Sequence, residues 1–296
     1  MPSQTRPSAA QQRLAAKLEA AASERRAAAS RRRRIKTVGI PILVVVLVVA
    51  VLVVVKVATG AGDPKSGKKA TTATSTVITA VTSVPASALN TVGAGSVVTQ
   101  PKAISGAALS ANGLPQVLYI GAEYCPYCAA ERWAVAVALS RFGTFTGLGQ
   151  TASSPSDVYP STATLTFHGA SYTSKYLSFT GKEIQSNQVV NGTYATLDTL
   201  TADEKALLTK YDSGGGIPFI DIGGNYMISG ASYNPQVLQG NTHAEIAAAL
   251  SDPSSPIAKG VDGTANAVTA AVCASTGNTP ASVCTASGVV AAAKKL

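Results

Sequence analysis

Apolar residues are spread unevenly along the chain. From Ile42 to Val55 every position is Val, Leu, Ile or Ala, and the 19 residues from Thr37 to Val55 carry no charge. A helix rises about 1.5 Å per residue, so a run of this length crosses a hydrocarbon layer of roughly 30 Å. Pro41 falls in the first turn, where its missing N–H costs little, and Lys56 snorkels to the far interface. A cleaved leader is the alternative. Its apolar stretch runs only about 7–15 residues, whereas here the run is longer and a 36-residue arm precedes it. The pattern predicts a membrane helix over 37–58. Residues 59–95 hold no aromatic side chain and are rich in Thr, Ala, Ser, Gly and Lys. Such a stretch buries too little surface to fold, so a disordered stalk is expected.

From residue 96 the pattern becomes short apolar runs between turn signals. Gln116–Gly121, after Gly113 and Pro115, reads as a buried strand, and Ala129 to about Arg141 as a helix buried on most sides. Leu165–Phe167 and Tyr176–Phe179 read as further strands. Thr201 with Glu204, and Thr242 with Glu245, are capping boxes opening helices to about Tyr211 and Leu250. Ile217–Ile222, a Gly223-Gly224-Asn225 turn and Tyr226–Ile228 make a hairpin. Thr264–Lys295 reads as two helices broken at 277–280. Strands alternating with helices give an α/β class. The expected organisation is an arm (1–36), a span (37–58), a stalk (59–95), an α/β domain (96–263) and a C-terminal helical pair (264–296).

The net charge of +9 changes meaning once it is located. Residues 1–37 hold ten Lys/Arg against two Glu, leaving fourteen against thirteen in the rest. The basicity is an N-terminal arm, so a nucleic-acid surface on the folded part is excluded. Arg31–Arg34 and Lys36, packed before the span, keep that flank cytoplasmic and send residues after about 58 outside. The arm is either a surface helix drawn to anionic lipid or a disordered topology signal.

The outward orientation bears on the four cysteines, because disulfides persist there. Cys125-Pro126-Tyr127-Cys128 as half a zinc site needs two more ligands. Cys273 and Cys284 stand eleven apart and His168 and His243 are isolated, so no pair has ligand spacing and no metal or cofactor is expected. As a redox pair, a C-x-x-C should end a strand and open a helix, whose N-terminal dipole stabilises thiolate on the first sulfur. The sequence supplies that order, and Pro126 suits the first turn. Cys125 is then the exposed nucleophile and Cys128 the resolving thiol. Ile217-Pro218, with Pro218 expected in cis, supplies a wall for an extended substrate; Tyr124 and Tyr127 are further substrate contacts. Cys273 and Cys284 most simply tie the last helices by a structural disulfide worth about 3 kcal/mol; a second redox pair is the alternative. Asn191-Gly192-Thr193 fits a glycosylation sequon.

Val117 to Cys128, VLYIGAEYCPYC, resembles the active-site strand of the thioredoxin superfamily, and Ile217-Pro218 resembles its cis-proline loop. The whole chain resembles the membrane-anchored, thioredoxin-like family known as domain of unknown function 929. The resemblance implies a thioredoxin-like fold over about 110–250, without an assigned substrate. Three departures stand out. Tyr119 occupies the place of the buried acid that thioredoxins carry, which removes the usual proton acceptor for Cys128; Glu123 is either a substitute or a solvated surface acid. The 89 residues 129–217 imply an insertion within about 142–200 that covers part of the site. The Pro-Tyr pair is the one glutaredoxins use, but no basic glutathione-binding cluster is visible.

These readings converge on a thiol-disulfide oxidoreductase acting on extracytoplasmic protein thiols, as oxidase or isomerase rather than reductase, recycled by a membrane redox partner. The competing expectation is a non-catalytic scaffold whose dithiol is a structural disulfide, with a potential below about −300 mV. Protease added to intact cells is expected to digest the globular part and spare residues 1–36; a protected globular part would reverse the orientation.

Overall fold

The computed structural model describes residues 64–296; the basic arm and the predicted span over 37–58 lie outside the described residues. Among the described residues no helix is long and apolar enough to cross a membrane. The first elements are β1 (Thr71–Thr72), α1 (Ser75–Thr82) and α2 (Ala86–Val92), followed by β2 (Lys102–Ala103), β3 (Ser110–Ala111) and β4 (Leu114–Gly121). Helix α3 (Pro126–Ser140) leads into β5 (Gly143–Thr146), β6 (Gly149–Ala152), β7 (Ala163–Thr166), β8 (Ser171–Ser174), β9 (Ser178–Glu183), β10 (Gln185–Val190) and β11 (Thr193–Thr196). Then come α4 (Ala202–Tyr211), β12 (Phe219–Ile222), β13 (Tyr226–Ser229), α5 (His243–Ala249), α6 (Pro256–Ser275), α7 (Ala281–Cys284) and α8 (Ser287–Ala293). The class is mixed α/β.

Strand β4 organises the main sheet. It pairs antiparallel with β12 on one side, and β12 continues to β13 and β2. On the other side it pairs parallel with β9, from Gln116 opposite Ser178 to Gly121 opposite Glu183. The short β3 pairs only with its start. Both faces of β4 are covered from Val117 onward, which is why Val117–Ile120 is an unbroken apolar run. Val117 and Tyr119 join the core that holds α3 and α6, while Leu118 and Ile120 join Phe219, Met227 and Leu208 of α4.

Helix α3 is the centre of the larger core. Its small alanines admit close neighbours, and Glu131, Arg132 and Trp133 are all fully buried. Trp133 Nε1 donates to Ala163 O of β7 at 3.0 Å, satisfying the one polar atom of that large ring. Helix α6 packs along α3. Gly260 of α6 stands where any Cβ would lie 2.6 Å from the Tyr233 ring, so the helix accepts a poor helix former to admit the aromatic. Between β10 and β11 the turn residues Asn191 (φ 51°) and Gly192 (φ 79°) are both left-handed, the chemistry of a two-residue hairpin turn. The sequon read in the sequence is thus this hairpin's turn.

Two boundaries need correction. The expected stalk is folded from Pro64 onward. Val77, Val81 and Leu89 are buried in the main core, β1 pairs with β6, and Ser96 N donates to Lys259 O at 2.9 Å. The composition lacked aromatics, yet apolar residues four apart on one helical turn sufficed once a ready surface was present. Residues 65–68 also clasp β10: Gly67 N donates to Asn187 O at 2.8 Å, Val189 N to Ser66 Oγ at 2.8 Å and Asn187 Nδ2 to Lys68 O at 2.8 Å. Second, no boundary falls at residue 264. Helix α6 runs through it, buried from Gly260 to Cys273, so the C-terminal helices belong to the main core. The Cys273–Cys284 disulfide joins α6 to α7, with Cα atoms 5.7 Å apart. Within 142–200, β9 belongs to the main sheet, and the remaining strands form β1–β6–β7, β5–β8 and β10–β11.

Leu89→Ala in the full chain is expected to cost roughly 2–5 kcal/mol in urea unfolding, as for a core leucine. A loss below about 0.5 kcal/mol would return residues 64–95 to the role of a passive tether.

Candidate functional site

The site grows from the junction of β4 and α3. The strand ends at Gly121, and Cys125 serves as N-cap, with its backbone extended (φ −76°, ψ 123°) and Pro126 opening the helix. Cys125 Sγ accepts the Cys128 backbone N–H at 3.3 Å, so an orphan donor of the first turn points at the first sulfur. Both cysteines are free thiols. Across from them the Ile217–Pro218 peptide is cis, and Ile217 O lies 3.9 Å from Cys125 Sγ.

The two sulfurs differ in charge preference. Hydrogen bonds from Cys128 lower the Cys125 thiol below its ordinary value, and the Arg132 guanidinium helps. Burial raises Cys128 well above it, reinforced by the bond to Cys125. The first sulfur therefore gives up its proton more readily than the second. Exposure requires a correction: Cys125 is only 6 % accessible and Cys128 is sealed. Cys125 Sγ sits under the Ile217 carbonyl rather than in open solvent.

The sequence reading missed a buried ion pair that starts on the dithiol helix. Arg132, one helical turn beyond Cys128, lies fully buried against Glu183 at the end of β9. Its Nε and Nη2 donate to the two carboxylate oxygens at 2.7 and 2.8 Å, and Nη2 also donates to Ala122 O. Such a two-pronged pair holds its geometry strongly. Burial raises the Glu183 carboxyl, with Arg132 opposing. The Tyr119 hydroxyl, Arg132 Nη1 and Glu123 Oε1 are buried nearby without protein partners. Glu123 is 2 % accessible, so it is not a solvated surface acid; its N–H donates to Gln185 O, which draws it under the β10–β11 hairpin. No motif joins Arg132 to Glu183 in sequence, because the parallel register of β9 on β4 creates the pair. The signal available was two charges, Glu131 and Arg132, inside an otherwise apolar helix.

The predicted substrate contacts separate. Ile217 and Tyr127 line an open groove of about 460 Å³, together with Val98, Tyr159, Tyr233 and the Ser229–Ala231 stretch. Tyr127 is exposed and meets Tyr159 edge-on at 5.9 Å. Tyr124 does not line this groove; its ring stacks on Tyr194 at 4.3 Å. Burial pushes its hydroxyl up to about 12. Tyr159 and Tyr194 both come from the segment predicted as an insertion. Cys273 and Cys284 form the disulfide described above, remote from this constellation in sequence and paired with each other. His168 Nδ1 meets Asp198 at 2.9 Å, and His243 Nε2 meets the Thr151 and Thr164 carbonyls. Among the described residues no three His, Cys, Asp or Glu side chains gather as a metal site.

Residues 100–274 match the model of the family described as Domain of unknown function (DUF929), and the chain belongs to that family. No curated protein and no solved structure matches the chain.

Cys125 is expected to be alkylated by iodoacetamide with a midpoint below the ordinary thiol value of about 8.5, and Cys128 to stay unreactive until unfolding. Arg132→Met should raise that midpoint and, by stranding Glu183, cost roughly 3–5 kcal/mol. An unmoved midpoint would separate Arg132 from the dithiol.

Proposed function

We propose that this DUF929 protein is a membrane-tethered, extracytoplasmic thiol-disulfide oxidoreductase on a thioredoxin-like fold, acting on protein thiols through Cys125 and Cys128. The observation that carries the reading is the asymmetric dithiol: a first sulfur that accepts a helix N-terminal N–H beside the Ile217 carbonyl, and a sealed, proton-retaining second sulfur. The fold reading is supported by the order of strand β4, CPYC, helix α3, the cis Pro218 loop and hairpin β12–β13. The tether is supported by the 19 uncharged residues 37–55 behind a basic flank.

The oxidase direction starts from a Cys125–Cys128 disulfide. A substrate thiolate attacks Cys125 Sγ; the S–S bond breaks, and Cys128 leaves with the electron pair and takes up a proton. A second substrate thiolate then attacks the substrate sulfur of the mixed disulfide, releasing Cys125 as thiolate and the substrate as disulfide. The low affinity of Cys125 for protons makes it the better leaving group in that second step, which favours oxidase or isomerase over reductase. A partner disulfide at the membrane takes the two electrons and restores the Cys125–Cys128 bond.

Cys128→Ser is expected to retain extracytoplasmic proteins covalently on Cys125, seen as reducible adducts by mass spectrometry, and the Cys125→Ser, Cys128→Ser double variant none. Equal yields from both variants would sink the reading.

A further inference from the structure

One wall of the groove is a single stretch of chain. Ser229, the last residue of β13, and Gly230, Ala231, Tyr233, Asn234 and Pro235 after it all line the groove. Gly230 N donates to Pro218 O at 2.8 Å, which ties this stretch to the loop beside Cys125. Its other attachments run to the dithiol helix. Tyr233 Oη donates to Ala130 O at 2.8 Å, and Ser232 donates from its backbone N and its hydroxyl to the two oxygens of Glu131, both at 2.9 Å. Ser232 O in turn accepts Val98 N at 2.8 Å, carrying another lining residue. Glu131 is fully buried, and its hydrogen bonds go to Ser232 rather than to either cysteine. A carboxylate is a costly way to fill a helix position in a core, and both its oxygens are spent on one serine.

We propose that Glu131 is a positioning residue whose carboxylate clamps Ser232 and so makes engagement of a peptide in the groove depend on pH. The proposal rests on the oxidoreductase reading for its consequence, though not for the clamp itself.

Burial pushes the Glu131 carboxyl up to about 7. The titratable groups around it are Tyr233, raised by burial and by the charges of Glu131 and Asp262, and Asp262 of α6, which burial pushes up to about 8. The cations are engaged elsewhere: Arg132 binds Glu183, and Arg141 binds Asn266 and Thr269. Protonation turns one acceptor oxygen into a donor and removes the charge from both bonds, so Ser232 N–H is held less firmly below pH 7. The linkage sign is the opposite of an ordinary salt-bridged acid. A folded value raised above the ordinary 4.5 gives stability that is complete below that value and lost as pH rises through about 7. The ionised clamp therefore costs folding stability while it fixes the wall.

The test uses the full chain and two readouts. Amide hydrogen exchange at Ser232, corrected for intrinsic rate, should lose about tenfold protection in the wild type between pH 8 and pH 6. Glu131→Gln, which preserves shape without a charge, should show the weaker protection at both pH values; Asp262→Asn should keep the wild-type transition. Oxidation of a two-cysteine decapeptide should show a KM that rises severalfold over the same pH drop in the wild type and stays high and flat in Glu131→Gln. At each fixed pH, the rate of Cys125 alkylation should be the same in both proteins. PH-independent protection in the wild type, or its loss with Asp262→Asn, overturns the clamp. A pH-dependent clamp with an unchanged KM profile in Glu131→Gln overturns its hold on the groove. If the wild type oxidises no peptide at any pH, the oxidoreductase reading falls instead, and fluorescence polarisation of the same labelled peptide then decides the groove effect.

Discussion

A guanidinium sealed from water has to be answered by a carboxylate at bonding distance, and Arg132 obtains its answer from Glu183. That requirement couples the first turns of α3 to the last residue of β9 and holds β9 parallel beside β4, with Glu183 opposite Gly121. Desolvating either ion alone costs several kcal/mol, so arrangements that part them are excluded. The third contact, to Ala122 O, fixes the turn between strand and helix on which the cysteines ride. The site inherits its placement from this pair. The same charge that locks the layers together also favours thiolate on Cys125.

Much of the architecture was legible because it is locally encoded. Both capping boxes are formed, with the reciprocal Thr201–Glu204 and Thr242–Glu245 bonds, and the glycine turn after Ile222 makes the expected hairpin. The strand before Cys125 was readable from four adjacent apolar residues. What escaped was set by packing over long separations. Residues 64–95 look like a linker by composition, yet Val77, Val81 and Leu89 find a surface prepared by α3 and α6. The Arg132–Glu183 pair depends on a strand register that no local pattern specifies. The sequence left Glu123 open between a buried substitute and a solvated acid, because a lone acid beside a turn is usually solvated; the β10–β11 hairpin covers it. The Asn191-Gly192 turn was readable by its residue types and was obscured by the overlapping sequon.

The near-burial of Cys125 shapes what the site can accept. Cys125 Sγ lies under the Ile217 carbonyl, beside a groove lined with Tyr127, Tyr159 and Tyr233. Under the proposed function a substrate has to pass this aromatic rim to reach Cys125, so the chain that delivers the sulfur matters as well as the sulfur.

The clasp formed by Ser66, Gly67 and Lys68 has a mechanical meaning. These residues are sewn to Asn187, Gln188 and Val189 of β10, and Gln188 Nε2 adds a bond to Gly67 O at 2.9 Å. Strand β10 pairs with β11, whose Tyr194 stacks on Tyr124 beside the first cysteine. Tension applied to the chain ahead of Lys65 therefore falls on the Lys65 N–H bond to Ser156 Oγ, then on this clasp and the hairpin it holds. Helix α3 lies further along the chain from that point, so the described part of the polypeptide is held at residues 65–68 by the hairpin whose Tyr194 stacks on Tyr124.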